Sequence, residues 1–380
     1  MTVMDTFKGQ KHAPTLFDIC FAPQYYNHAR KIECYPGSVF EGDVKITLAE
    51  PLPAQHLKLV FKAVERVNYD AMGWEKIKND DGRLFAVRTT LWGSSATRAA
   101  PWPVLEAGEH RFPFVCEMPL INYPPSFDHY LIATTFTLIA SLERPGETSF
   151  YTAPFNVHFY PILETSPQKP LSAFQKETQI TARIHARLRL PSVSFNLLET
   201  KHIPIALTLQ STQSSPDKYE FPISNIRLYL KRYITIVHKT FSRTEALTIT
   251  HLEHRLSHNS AVDIMTSLPI PYYQAPTTTY SNRFTVEYKL CVSVKIRHGP
   301  LVTRKKIFAI PITFGTLMPG AQLPPDLMSY AETWVIEDTS LRTKPKFLRH
   351  TPMNDQPQLP AYDLIRPPSY KTVASDIPVS

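Results

Sequence analysis

Two short tyrosine-containing motifs near the end of the sequence have the residue types needed to bind a groove as extended peptides. Residues 359–362 read LPAY and residues 367–370 read PPSY, so a proline precedes each tyrosine by two positions. Proline fixes φ at about −65°, which favours polyproline II and reduces the entropy lost on docking. WW domains bind such segments in a groove lined by aromatic side chains. We therefore predict that WW domains contact these residues: Leu359, Pro360, Tyr362, Pro367, Pro368 and Tyr370.

The two motifs are not equivalent. PPSY has two consecutive prolines, whereas leucine takes the first position in LPAY. Leucine restricts φ less than proline does, so we expect PPSY to be the primary motif and LPAY an auxiliary one. A third, similar string, PPSF at 124–127, lies between two strand-like segments and ends in phenylalanine. We interpret it as a structural turn with a buried aromatic ring.

Cationic residues are concentrated in the second half of the sequence. Residues 178–317 contain 18 lysines and arginines against 7 acidic residues, and residues 14–162 contain 13 against 16. The excess favours an acidic partner, which is either an anionic lipid surface or an acidic polypeptide, although a solvated strand face is the alternative. No nucleic-acid-binding motif is recognised, so nucleic acid is not predicted as a partner. Candidate contacts are Lys231, Arg232, Arg304, Lys305 and Lys306.

The sequence carries no recognisable catalytic or metal-binding motif. G-x-S-x-G, the P-loop, G-x-G-x-x-G and H-E-x-x-H do not occur. His251, His254 and His258 are close together, but on a strand His251 faces away from the other two. A solvated loop or edge strand is therefore the preferred interpretation. We predict no catalytic residues, no metal site, no cofactor and no enzymatic activity.

The segments that position these residues alternate between apolar and polar side chains. This pattern runs through six segments rich in β-branched and aromatic residues, and the 35 prolines argue against long helices. We predict an all-β protein built from two tandem immunoglobulin-like β-sandwich domains. The six segments are 44–48, 57–67, 136–142, 226–237, 284–296 and 308–314.

Four strand signatures recur in the same order in both halves, which indicates an internal duplication. VKITL, LKLVFKAVERV, FTLIASL and PFNVHF in the first half correspond to IPIALTLQ, IRLYLKRYITI, YKLCVSVKI and IPITFG in the second. The pattern ends at about residue 317, and the remaining residues are rich in proline. We predict an N-terminal sandwich at 14–162, a linker at 163–177, a C-terminal sandwich at 178–317 and a disordered tail at 318–380, within which 329–338 has apolar residues able to dock back.

The cysteines and the N-terminus predict a cytoplasmic protein. None of the four cysteines belongs to a C-x-x-C pair, so we expect free thiols. The first residues lack the apolar segment of a secretory signal, and the apolar stretch 131–142 is too short to span a membrane.

Several segments resemble the arrestins. CYPGSVFEGDVKITL at 34–48, LKLVFKAVER at 57–66 and HRFPFVCEMPLINYPPSF at 110–127 resemble the arrestin N-terminal domain. YKLCVSVKI at 288–296 and IPITFGT at 310–316 resemble the last strands of the arrestin C-terminal domain. Visual and β-arrestins lack Pro-Pro-x-Tyr motifs, whereas α-arrestins, the arrestin-related trafficking adaptors, carry them after the C-terminal domain. The sequence therefore looks like that of an α-arrestin.

This resemblance implies an arrestin fold and an adaptor function. α-Arrestins recruit a WW-domain HECT-type ubiquitin ligase to plasma-membrane transporters or receptors, which are then ubiquitinated and endocytosed. The implied location is the cytoplasm, peripheral to the plasma membrane and endosomes, and ubiquitin is a further, covalent partner. The alternative is an arrestin-fold trafficking or coat subunit, similar to the retromer component, that does not recruit a ligase. A second alternative is an enzyme built on a β-sandwich, which no motif supports.

Overall fold

The structure is a computed structural model of the 380-residue chain. It describes residues 12–27, 31–74, 81–94, 102–144, 146–164, 173–211, 222–239, 241–256, 261–271, 274–298, 301–318, 321–330 and 348–350. These residues form β-strands and two short 3-10 helices, at Pro23–Tyr25 and Asp70–Met72. The all-β prediction is confirmed. Within these ranges, no helix is long and apolar enough to cross a membrane.

The first thirteen strands build the N-terminal sandwich. Alternation in the sequence explains them: along His56–Val67, His56, Leu57, Leu59, Phe61 and Ala63 are buried in a largely alternating row. The strands are β1 (Leu16–Phe21), β2 (Ile32–Cys34), β3 (Val39–Leu48), β4 (Leu52–Pro53), β5 (His56–Val67), β6 (Asp81–Gly93), β7 (Val104–Leu105), β8 (Gly108–Glu117), β9 (Ile121–Asn122), β10 (Phe127–His129), β11 (Ile132–Glu143), β12 (Phe150–Tyr151) and β13 (Phe155–Phe159).

The next nine strands build the C-terminal sandwich. They are β14 (Phe174–Thr181), β15 (Ile184–Leu190), β16 (Ser194–Asn196), β17 (His202–Ser211), β18 (Ile223–His238), β19 (Phe241–Arg255), β20 (Ala261–Pro269), β21 (Phe284–His298) and β22 (Leu301–Gly315). The first of them begins inside the segment predicted as a linker.

The two sandwiches repeat one topology. One sheet of the N-terminal sandwich has the strand order β2-β13-β11-β5-β6, and the C-terminal counterpart is β16-β22-β21-β18-β19. The facing sheets contain β1-β3-β8 and β14-β15-β17-β20. In both domains one pair is parallel, β2 with β13 and β16 with β22. The four recurring sequence signatures fall on corresponding strands, which supports the predicted duplication.

Apolar side chains pack continuously across the junction of the two sandwiches. The core of the C-terminal sandwich includes Val67, Tyr69 and Leu131 from the N-terminal one. Phe127, the last residue of PPSF, is buried and stacks on Phe284, with ring centroids 6.0 Å apart. The predicted burial of the PPSF ring is confirmed, whereas residues 124–126 form an irregular connection between β9 and β10 and not a regular turn. The two domains therefore pack against each other and share buried surface.

Two short segments of the predicted tail pair with the N-terminal sandwich. β23 (Met328–Ser329) runs parallel to β9, and the following Tyr330 packs against Tyr123 with ring centroids 5.4 Å apart. β24 (Leu348–His350) pairs antiparallel with β8 and becomes the edge of that sheet. The sequence prediction of docking at 329–338 anticipated only the first contact.

The four cysteines are free, as predicted. Cys34, Cys116 and Cys291 are buried and Cys20 is half-buried. Burial raises the pKa of the thiols of Cys34 and Cys116, so both stay protonated at neutral pH.

Candidate functional site

Four neighbouring strands of the C-terminal sandwich bring scattered cations together on one surface. β18 lies between β19 and β21, and β22 flanks β21 on the other side. Lys231 pairs with Lys289, and Lys295 pairs with Arg304. Residues paired across an antiparallel ladder share a face, as do alternate residues along a strand.

We call this surface the basic face. It lies on the side of the sheet opposite the buried rows of Leu228, Leu230 and Ile234. The carboxylates on its described part are Glu253 and Glu287, so positive charge is in excess. Its cations are Arg227, Lys231, Arg255, Lys289, Lys295, Arg297, Arg304 and Lys306.

Aromatic rings separate the cations on the basic face. The Lys289 ammonium lies 4.9 Å from the ring centroid of Tyr233, and the Lys231 ammonium lies 5.8 Å from that of Tyr229. Glu253 Oε1 is 3.5 Å from Arg227 Nε and 3.8 Å from Arg304 Nη2. Cation–π contacts and long ion pairs at exposed sites are weak, so most of the positive charge stays available to a partner.

A cysteine lies in the middle of this face. Burial raises the pKa of the Cys291 thiol, although the ammonium groups of Lys306, Lys231 and Lys289 act in the opposite direction. Cys291 is only 1% exposed, so it is a packing residue and not a nucleophile. The basic face therefore offers charge and aromatic surface, which suits binding and not catalysis.

The structure divides the five basic residues predicted from the sequence between two sides of the sheet. Lys231, Arg304 and Lys306 lie on the basic face. Arg232 belongs to the opposite row, where its guanidinium carbon is 5.5 Å from the ring centroid of Phe127. Lys305 also faces away and donates to the carbonyl oxygen of Ile180 at 2.7 Å. Adjacent residues of a strand point to opposite faces, so a run of consecutive cations cannot form one patch.

The sequence prediction missed several members of the basic face. Arg227, Lys289, Lys295 and Arg297 are isolated cations and form no run. The sequence feature that could have found them is their even separation, two to eight residues within a strand. An even separation places side chains on the same side of the sheet. The pairing of β18 with β21 was needed to show that these rows are neighbours.

The histidines weighed as a metal site in the sequence analysis form none in the described residues. His251 pairs with Tyr229 and His254 with Ile226, so the two imidazoles lie on opposite faces of β19. β19 is the edge strand of its sheet, as the sequence analysis preferred. Among the described residues, no group of three or more potential ligands could hold a metal ion. His258 lies outside them.

A buried polar contact joins the two sandwiches on another side. Ser281 Oγ donates to Glu65 Oε1 at 3.0 Å, and Arg283 Nε lies 3.8 Å from Glu65 Oε2. Tyr280 donates its hydroxyl to the carbonyl oxygen of Tyr123 at 3.2 Å. Burial raises the pKa of Glu65 to about 7, and the contacts with Ser281 and Arg283 only partly offset this. The sequence analysis did not single out Glu65.

The WW-binding residues predicted from the sequence lie outside the described residues. They are Leu359, Pro360, Tyr362, Pro367, Pro368 and Tyr370. The nearest described segment is β24, which ends at His350.

Comparison with known proteins identifies the first sandwich. A search of curated proteins finds no match. Residues 26–157 match the family model described as Arrestin (or S-antigen), N-terminal domain. The matched range extends from just before β2 to β13 and so covers most of the N-terminal sandwich. The N-terminal β-sandwich of this protein is therefore similar to the arrestin N-terminal domain.

Proposed function

We propose that this protein is a trafficking adaptor that recruits a WW-domain HECT-type ubiquitin ligase to plasma-membrane transporters or receptors. The arrestin N-terminal domain at 26–157 indicates an adaptor-type role in general, and arrestins are not enzymes. The observation that carries the finer proposal is the combination of this domain with two Pro-x-Tyr motifs at 359–362 and 367–370. The target of the ligase would be ubiquitinated and endocytosed.

In this proposal, the tail binds the WW domains of the ligase through its two Pro-x-Tyr motifs. The consecutive prolines of PPSY favour the extended conformation before binding, and the tyrosine supplies a second contact on the same side of the segment. LPAY keeps Pro360 and Tyr362 and adds a weaker copy. Four residues separate Tyr362 from Pro367, about 12–15 Å along an extended chain, so two WW domains would be crowded. We therefore expect the LPAY motif to strengthen binding mainly by rebinding the same WW domain after PPSY dissociates.

The attachment of β24 limits where a recruited ligase would be held. Nine peptide units connect His350 to Leu359, which at full extension is about 30 Å. Because β24 pairs with β8, the first motif stays within that distance of the N-terminal sandwich. The ligase would then act close to whatever target the N-terminal sandwich contacts.

Peptide and full-chain binding to single and tandem WW domains tests this function. Tyr370→Ala should weaken binding most with every WW partner, and Tyr362→Ala should have a smaller effect. Pro378→Ala, in the tail but outside both motifs, is the matched control and should bind like the original chain. Equal effects of the two tyrosine variants on a single WW domain would overturn the ranking. Absence of any effect would favour the alternative, a retromer-like trafficking or coat subunit without a ligase.

The proposed location follows from the proposed function. An adaptor for transporters or receptors works in the cytoplasm, at the inner surface of the plasma membrane and at endosomes. It would itself be a substrate for covalent ubiquitin attachment, because its tail holds the ligase close to its own lysines.

A second candidate function is binding of an acidic partner by the basic face. The observation in its favour is the cluster of cations from four strands around Tyr229 and Tyr233. An acidic polypeptide segment of a cargo protein and an anionic membrane surface are both partners that suit a surface of this charge.

A further inference from the structure

The duplication of the sandwich leaves one sheet edge without its counterpart. β8 and β20 occupy corresponding positions, β8 beside β3 and β20 beside β17. In the N-terminal sandwich, β24 pairs with the other edge of β8. Among the described residues, no strand pairs with the corresponding edge of β20. The C-terminal sandwich therefore has an open edge at the position where the N-terminal sandwich holds a strand of the tail.

Burial of the inward side chains differs between these two edges. On β8, Phe114 and Cys116 lie beside β24 and are 1% and 0% exposed. Leu348 of β24 helps to cover them, because it inserts its side chain into the same core. On β20, the inward side chains of Val262 and Ile264 are only partly buried. The open edge therefore lacks the apolar cover that β24 gives to the other sandwich.

The neighbouring strand β19 adds apolar surface beside this edge. β19 precedes β20 and contacts it, and both are edge strands of their sheets. Leu247 of β19 is 47% exposed, and Ile249 and Leu252 are partly buried against the core of the C-terminal sandwich. The inward side chains of β20 pack against the same core. An apolar side chain placed between the two edge strands would extend this core, as Leu348 does between β8 and β6.

Backbone groups of β20 point to the open edge. Ile270 donates its backbone amide to the carbonyl oxygen of Lys201 at 2.9 Å, one position beyond the last residue of β20. Because hydrogen bonds alternate along an antiparallel pair, every second residue of β20 directs its amide and carbonyl groups to β17, and the residues between them direct theirs outward. The outward amides are those of Asp263, Met265 and Ser267. These groups are available to a further strand.

The edge of β20 lacks most of the features that protect exposed edges. Such features are lysines, prolines, bulges and a short strand. β20 has nine residues, its pairing with β17 has no register shift, and a proline stands only at its last position, Pro269. Its single charged residue is Asp263, and Met265 is 89% exposed. An edge of this kind favours the addition of an extended segment through its backbone.

Charge indicates which kind of segment fits this edge. In the N-terminal sandwich, Arg349 of β24 pairs with Glu117 of β8 at the surface. On β20, Asp263 is exposed and has no ion pair among the described residues. A second copy of β20 cannot supply a cation because the strand contains none, and the excess of 11 positive charges in 178–317 makes two C-terminal sandwiches repel each other. The edge therefore suits a segment of another protein that combines apolar residues with one cation.

We propose that the open edge of β20 binds an extended segment of a partner protein as an additional antiparallel strand. An apolar side chain of this segment would enter between β20 and β19, and a lysine or arginine would lie beside Asp263. Main-chain hydrogen bonds supply the affinity in this mode of recognition, and alternate side chains supply the specificity. The surface is separate from the Pro-x-Tyr motifs and from the basic face, and the inference does not depend on recruitment of a ligase.

Fluorescence anisotropy of a labelled peptide with the sequence TVTLRVT tests the proposal on the full chain. The peptide places its three apolar side chains on one face and its arginine on the other, and it should bind saturably. Methylation of the backbone nitrogens of its third and fifth residues should weaken binding about tenfold or more, because these amides would face β20. Methylation at its fourth and sixth residues is the matched control and should change the affinity little. Equal losses with the two methylated peptides, or no saturable binding, would overturn the proposal.

An exchange of charge locates the peptide on β20. Asp263→Lys should weaken binding of TVTLRVT about two- to fivefold, as expected for an exposed ion pair, and should strengthen binding of TVTLEVT. Asp18→Lys makes the same change on β1, the edge strand of the N-terminal sandwich, and should bind both peptides like the original protein. Equal responses of the two variants would show a general charge effect and would exclude the β20 edge as the binding site.

Two other occupants of this edge give different outcomes. If the chain sediments as a dimer that TVTLRVT dissociates, a second copy occupies the edge. If a peptide with the sequence of residues 351–380 displaces TVTLRVT from the original protein, the tail of the chain itself occupies it. Either result would overturn the assignment of this edge to a partner protein.

Discussion

Glu65 is a carboxylate that the fold buries at the contact between two domains. It takes an inward position on β5, where Ala63 and Val67 are also buried, and it is only 2% exposed. Ser281 and Arg283 approach it from the other sandwich. An ion pair at 3.8 Å does not fully replace the water that a carboxylate loses on burial, and this explains the raised pKa.

Glu65→Gln should stabilise the protein at alkaline pH and make its stability less dependent on pH. The pKa of Glu65 rises from 4.5 to about 7 on folding, so the folded state binds the proton more tightly. The contribution of this group is therefore greatest below pH 4.5, decreases as the pH rises to about 7 and is constant above it. Glutamine should recover up to about 2–3 kcal/mol at pH 8. Denaturant unfolding at pH 5 and pH 8 measures this.

The tyrosine beside Glu65 does not interfere with this measurement. Burial, followed by the charge of Glu65, raises the pKa of Tyr280 well above its usual value, so its hydroxyl stays protonated up to pH 8. A Glu65→Gln variant that is less stable than the original at pH 8 would contradict the prediction, because it would mean that the contact with Arg283 outweighs the desolvation.

Two glycines with nearly the same positive φ should respond differently to alanine. Gly73 and Gly93 have φ values of +74° and +76°. A Cβ on Gly73 would meet nothing within 4 Å, whereas a Cβ on Gly93 would lie 2.3 Å from the carbonyl oxygen of Gln55. Gly73→Ala should cost about 1 kcal/mol for its φ alone. Gly93→Ala should cost about 3 kcal/mol or more, because the backbone must also move. Denaturant unfolding measures the free energy of unfolding of both variants. Similar decreases in the two would contradict the prediction that a Cβ at Gly93 clashes with the backbone.

At the scale of elements, the tail strand β24 changes the edge of a sheet. β8 would otherwise expose unpaired backbone groups, and such edges attract other chains. Leu348 inserts its side chain into the core of the N-terminal sandwich and is 6% exposed. Arg349 instead pairs with Glu117 at the surface. One short segment thus contributes both apolar packing and backbone hydrogen bonding.

Leu348→Ala should destabilise the N-terminal sandwich by about 2 kcal/mol, because it removes a buried side chain from the core. Arg349→Ala is the matched control from the same strand. It should change stability by less than about 0.5 kcal/mol, since both side chains of its ion pair are substantially exposed. Denaturant unfolding gives the two values, and hydrogen exchange should show faster opening of the β8 amides only in Leu348→Ala. Unchanged exchange in that variant would show that β24 does not hold the edge.

At the scale of the whole molecule, charge is divided between the two sandwiches. The segment 178–317 has an excess of 11 positive charges, and 14–162 has an excess of 3 negative ones. The strand register collects much of the positive excess on the basic face. A partner that approaches this face therefore meets a field from several cations together, while the other sandwich adds little attraction.

Binding of an acidic peptide or of anionic vesicles should depend on the basic face and on salt. The Debye length falls from about 10 Å at 0.1 M to about 3 Å at 1 M salt, so affinity should decrease strongly over this range. Lys231→Gln/Lys289→Gln/Lys306→Gln should bind more weakly than the original protein in a co-sedimentation or titration assay. The control Lys45→Gln/Lys62→Gln/Arg88→Gln removes three charges from the N-terminal sandwich and should bind as before. Equal losses in both variants would show a general charge effect and exclude a specific basic face.

The sequence by itself determined the strands and their inward sides. In β5, alternation identified the buried rows before any partner strand was known, because a pleated strand sends successive side chains to opposite faces. The same alternation of apolar and polar residues predicted β18 and β21 and the all-β fold. It also revealed the four strand signatures that recur in both halves. Composition likewise separated the proline-rich tail from the two sandwiches.

Tertiary structure decided which rows became neighbours. Lys231 and Lys289 are 58 positions apart, and only the pairing of β18 with β21 places them side by side. Glu65 meets Ser281, and Leu348 returns to Cys116, through contacts across most of the chain. Such contacts depend on the register of whole sheets and on the docking of one domain against another. These are collective properties of the packed core, so no local pattern of residues specifies them.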